Sequence, residues 1–67
     1  MNALVVHPAF GSVWLEHARM EQAENGRWYV VGETWDDTGI GSLYMPDDWR
    51  GEPVLMNFPA TCIMRVE

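Results

Sequence analysis

Lysine is absent from this chain, and four arginines face ten acidic residues, for a formal net charge of −6. Nucleic-acid binding draws its affinity from clustered basic side chains that displace counterions, so direct DNA or RNA binding is not expected. Cysteine occurs once, at Cys62. A lone cysteine excludes an intramolecular disulfide and fits a reducing compartment, so the chain reads as cytoplasmic. No apolar run approaches the ~20 residues of a membrane helix, and no basic-then-apolar leader is present. No membrane partner is expected.

Catalytic groups are equally scarce. The two histidines, His7 and His17, and Cys62 match no structural zinc spacing, so no metal or cofactor is expected. Cys62 with either histidine has the elements of a nucleophile and base, but Cys62 sits in an apolar run, where a buried and inert thiol is the commoner outcome. The pairs Asp36-Asp37 and Asp47-Asp48 fall in turns, and adjacent carboxylates point apart. No catalytic residue is assigned, and enzyme activity is the less favoured class.

What the chain does have is apolar mass: four Trp, five Met, two Tyr and two Phe in 67 residues. A single domain over 1–67 is expected, and a domain so small hides only about 60% of its unfolded surface. The aromatic and Met side chains are therefore expected to furnish a dense core.

The stretch from Val13 to Trp35 organises the chain around Asn25-Gly26. Both residues tolerate positive φ, so a two-residue type I′ hairpin turn is expected, setting Glu24 opposite Arg27, Ala23 opposite Trp28, Gln22 opposite Tyr29, Glu21 opposite Val30 and Met20 opposite Val31. The arm from 13 to 24 is ambiguous. Its residues are good helix formers, with Ser12 and Gly26 available as caps, yet at 100° per residue the apolar positions form no stripe. As a strand, Trp14, Ala18 and Met20 share a face and Glu16 is the misfit. The β-rich partner from Arg27 to Trp35 needs a neighbour, which favours the strand.

Elsewhere, Ala3 to Val6 reads as a strand stopped by Pro8, followed by a loop around Gly11. Residues 36 to 42 read as a turn, since neither a calcium loop nor a phosphate-cradling loop is complete there. Leu43 to Met45 is a short strand ended by Pro46. Pro53 to Met56 is another, with Pro53 at its first position. A final strand runs from Cys62 to Glu67.

At the C-terminal end, a strand, then Phe58-Pro59-Ala60-Thr61-Cys62-Ile63, then a closing strand resembles the end of an SH3-type barrel, where a Phe-Pro dipeptide enters a 3₁₀ turn. The resemblance covers about ten residues. It implies an all-β fold, a small SH3-like barrel of five or six short antiparallel strands. In peptide-binding members that turn supplies a proline and an aromatic to a groove for proline-rich ligands. Pro59 stands at the proline position, whereas Cys62 stands at the aromatic one.

Function follows from the acidity. Asp36, Asp37, Asp47, Asp48 and Glu52 are expected to form a negative patch with Trp49 as aromatic anchor, suited to a basic protein surface. The expected role is a non-enzymatic inhibitor or adaptor, with mimicry of nucleic-acid phosphate as its sharpest form. A short acidic chain beginning at Met1 suits a phage- or mobile-element-encoded regulator. The alternative is a homo-oligomeric barrel that forms a small-molecule or catalytic pocket between subunits. A third reading is a structural subunit of a larger assembly.

Overall fold

The computed structural model describes residues 1–35 and 53–67. Strands β1 (Ala3–His7), β2 (Gly11–Gln22), β3 (Trp28–Thr34), β4 (Val54–Pro59) and β5 (Ile63–Val66) are all antiparallel, with a 3₁₀ turn at Ala60–Cys62 before β5. Their order in the sheet is β4-β3-β2-β1-β5. The all-β expectation holds. The strand expected at Leu43 to Met45 lies outside the described residues.

The sheet does not close into a barrel: β4 and β5 are its two edges among the described residues. What replaces ladder closure is a fold in β2. Its first part pairs with β1, from Ala3↔Leu15 to His7↔Gly11, and its second part with β3, from Glu16↔Glu33 to Gln22↔Trp28. At the changeover the register jumps from Glu16↔Glu33 to Arg19↔Val31, so His17 and Ala18 together face Gly32. This is a β-bulge, and bulges bend the strand that carries them. His17 takes φ 51°, the left-handed region, and it is the one non-glycine residue among those described to do so.

The bulge explains why no single period fitted this segment. Val13 and Leu15 point inward, the phase then slips by one, and Ala18 points inward next. Glu16 is not a misfit; it lies half-buried on the face opposite Leu15. Gly32 lets the strands approach here, because a Cβ on it would stand 2.9 Å from the Leu15 Cβ and 3.2 Å from that of Ala18. The N-terminus completes the bulge. The Ala18 N–H donates to the Met1 carbonyl at 2.7 Å, while Asn2 and Glu67 exchange backbone hydrogen bonds at 2.7 and 2.8 Å.

Both hairpins turn tightly. Between β1 and β2, the Phe10 N–H donates to the His7 carbonyl, and the Ala9 N–H to His7 Nδ1 at 3.0 Å, which puts the His7 proton on Nε2. Gly11, at φ 75°, already belongs to β2, so the expected loop is shorter than its sequence suggested.

The β2–β3 hairpin corrects the expected register by one residue. Gln22 faces Trp28, Glu21 faces Tyr29 and Met20 faces Val30. The Gly26 N–H donates to the Ala23 carbonyl and the Ala23 N–H to that of Arg27, enclosing a three-residue loop with Gly26 at φ 84°. Asn25 keeps a negative φ and uses its side chain instead, its Oδ1 accepting the Arg27 N–H at 2.9 Å. A type I turn closed by a left-handed glycine is the usual three-residue solution. The Glu24–Arg27 cross-strand pair does not form, since Ala23 takes that place.

The core lies between the two halves of the folded sheet. Ala3, Val5, Val13 and Leu15 come from one half and Ala18, Val30 and Phe58 from the other, with Phe10, Met56, Cys62 and Ile63 packed against them. Phe10 meets Phe58 edge-on at 5.4 Å between ring centroids, and His7 lies 5.1 Å from Phe10 and 5.8 Å from Phe58. The three described tryptophans do not build this core as expected. Trp28 and Trp35 are each about half exposed and Trp14 is half-buried, while Met20 and Met64 face solvent. Small aliphatic residues suffice because the bulge and Gly32 bring the two halves close.

Candidate functional site

Every residue of the expected acidic patch, namely Asp36, Asp37, Asp47, Asp48, Trp49 and Glu52, lies outside the described residues. The fold nevertheless fixes where the segment attaches. It leaves the chain after β3 and rejoins it before β4, at the end of the ladder where Thr34 pairs with Val54. Residues 36–52 hold five acids against Arg50, a net −4, and the remaining residues hold five acids against three arginines, a net −2. Two large apolar side chains stand exposed at this end: Trp35 directly after β3, and Leu55, which faces Glu33 across the ladder.

At the opposite end of the same ladder is a groove that the sequence did not announce. Its volume is about 480 Å³, and its walls are Arg27 directly before β3, Trp28 and Tyr29 at the start of β3, and Pro59, Ala60 and Thr61 from the end of β4 and the 3₁₀ turn. Tyr29 pairs directly with Pro59 in the ladder, so the two walls are held in register by backbone hydrogen bonds. Trp28 is 52% exposed although it is the largest side chain there. The Arg27 guanidinium and the Tyr29 and Thr61 hydroxyls have no protein partner among the described residues. The other described arginines are both engaged, Arg19 with Glu21 and Arg65 with Glu67, each at 2.8 Å.

A second depression of about 230 Å³ shares Tyr29 with the first as a lining residue and includes Glu21, Val31 and Asn57. Arg, Trp and Tyr are the residue types most enriched among interface hot spots, and here they are consecutive. That tripeptide was the available signal. Trp28 and Tyr29 are also hairpin partners of Gln22 and Glu21, and the approach of Pro59 depends on a pairing thirty residues away in sequence.

The groups weighed for catalysis are placed differently. His7 is packed between two phenylalanines and accepts a backbone N–H, a structural position. His17 is exposed, with Nδ1 3.1 Å from Glu33 Oε2. Cys62 is half-buried against the core. Among the described residues, no group of three or more His, Cys, Asp or Glu side chains could hold a metal ion, and no helix is long and apolar enough to cross a membrane. Comparisons with protein-family models, curated proteins and solved structures found no match.

Proposed function

We propose that this chain is a non-enzymatic protein-interaction module, an acidic adaptor or inhibitor that docks on a basic surface of a partner protein. The observation that carries the reading is the grouping at the Thr34/Val54 end, where Trp35 and Leu55 stand exposed beside a segment of net −4. Exposed apolar anchors flanked by one sign of charge suit a complementary surface, with the charge setting encounter rate and orientation and the anchors providing contact area. Within the segment, Asp36, Asp37, Asp47, Asp48 and Glu52 carry the charge and Trp49 adds a third anchor. A partner that handles nucleic acid has such a surface, and carboxylates presented to it stand in for phosphates. The lone Cys62 suits the reducing cytoplasm.

The SH3-like reading of the fold belongs here too. It is supported by the strand order, by β2 shared between two half-sheets and by the Phe58-Pro59 entry into a 3₁₀ turn before the last strand. The test of function is Asp47→Lys combined with Asp48→Lys. Capture of the basic partner should fall steeply while the β spectrum is unchanged; capture unaffected by the reversal would refute docking through these carboxylates.

A homo-oligomeric reading has its own support in the β1–β5 region, where Met1, Val6, Met64 and Val66 are all exposed. Light scattering separates the two. A tetramer or larger ring favours a shared pocket between subunits, and a monomer removes it.

A further inference from the structure

We infer that the groove between Arg27-Trp28-Tyr29 and Pro59-Ala60-Thr61 binds an extended acidic peptide segment, in which an apolar side chain packs on Trp28 and Pro59 and a neighbouring carboxylate pairs with Arg27. This rests on the reading of the chain as an interaction module, but not on its acidic segment.

The sign of the ligand follows from charge complementarity. Among the described residues no carboxylate lines the groove, the Glu21 carboxylate of the second depression is paired with Arg19, and Arg27 is the one described arginine not already neutralised by a glutamate two residues away. A basic ligand would set cation against cation there. A carboxylate can instead make the paired, planar hydrogen bonds for which guanidinium is shaped. The apolar component follows from Trp28, a residue about half exposed that lines the groove together with Pro59 and Ala60. The Tyr29 and Thr61 hydroxyls remain as donors or acceptors for a ligand backbone.

That the ligand is an extended segment follows from the two depressions that share Tyr29 as a lining residue, of about 480 and 230 Å³. A compact molecule fills one of them. A peptide in β-type conformation places alternate side chains roughly 7 Å apart on one side, enough to straddle a tyrosine and reach both.

The placement also separates this surface from the acidic one. The groove lies at the Trp28 end of β3 and the acidic connection leaves from the Thr34 end, six residue steps or roughly 20 Å away. One chain can therefore hold an acidic peptide at one end and a basic surface at the other.

The experiment uses the full chain, labelled with ¹⁵N, and two heptapeptides, one alternating leucine with glutamate and one alternating leucine with lysine. The expected result is that the glutamate peptide shifts the amide signals of residues 27–29 and 59–61 and the Trp28 indole signal. Arg27→Gln should weaken this binding at least tenfold, and Trp28→Ala should abolish it. Both positions are exposed, and an otherwise unchanged spectrum reports that the fold is intact. Two results overturn the inference: no movement of these signals at millimolar glutamate peptide, or equal or stronger movement with the lysine peptide. Either failure leaves docking on a basic partner standing, because that is read from the Asp47→Lys, Asp48→Lys variant.

Discussion

The two ends of the β3–β4 ladder differ in chemistry although the same pair of strands builds both. At the Tyr29↔Pro59 end, the polar and aromatic groups sit on strand and turn backbone: a cation, an exposed indole and two hydroxyls around a groove, the cation and hydroxyls without a partner among the described residues. At the Thr34↔Val54 end, the chemistry is a connection of net −4 bracketed by the exposed Trp35 and Leu55. Residues placed by a ladder specify shape, whereas charges gathered in one connection specify sign and range. The first surface should discriminate among ligands at short distance, and the second should steer a partner from afar and respond strongly to salt.

The comparison can be broken most severely through the scaffold that both ends share. Phe58 is fully buried, opposite Val30 and against Phe10, so Phe58→Ala should cost about 3–5 kcal/mol. A chain of this size has roughly 3–10 kcal/mol in total, so urea unfolding should show most of the stability gone and both surfaces lost together. Next is Gly32→Ala. Its new Cβ would lie 2.9 Å from the Leu15 Cβ, which belongs to a fully buried side chain in the other half-sheet. A cost of about 1–3 kcal/mol is expected by the same measurement, from forcing the bulge open.

A change of opposite sign sharpens the comparison. His17 is held at φ 51° with its side chain 80% exposed, so His17→Gly removes backbone strain for the loss of one solvent-screened contact to Glu33. A gain of up to about 1 kcal/mol should appear in thermal unfolding, with binding at both ends unaltered. The smallest of the three losses belongs to Trp28→Ala. Since about half of that residue is already in water, the cost should be about 1–2 kcal/mol in urea, while groove binding disappears and salt-sensitive docking at the other end remains.

Much of this architecture was legible in the residues. The strands expected over Pro53–Met56 and Cys62–Glu67 are found as β4 and β5, and the β-rich partner expected over Arg27–Trp35 is found as β3, with bounds shifted by a few residues. The arm now seen as β2 was readable only through its partner. The bulge at His17–Ala18 shifts the alternation mid-strand, which erases a clean period of two without creating one of 3.6. The hairpin register failed by one because Asn25-Gly26 has two solutions. In one, both residues turn left-handed; in the one observed, the Asn25 side chain takes the Arg27 N–H and Gly26 alone turns.

The core position expected from size fails for Trp14, Trp28 and Trp35, none of which is fully buried. A close approach of half-sheets at Gly32 leaves room for Ala3, Ala18 and valines but not for several indoles. The candidate site divides along similar lines. Its acid content could be counted from the sequence, whereas the groove depends on Tyr29 meeting Pro59, a contact set by topology.

The most direct test is a pull-down from lysate of the source organism or its host with three tagged forms of the chain: unaltered, Asp47→Lys with Asp48→Lys, and Trp28→Ala. Each is washed at rising salt. The unaltered chain and Trp28→Ala should retain the same basic protein at low salt and release it at high salt, and the double charge reversal should never retain it. A partner held equally by all three forms, or held more tightly as salt rises, would contradict docking through the acidic segment.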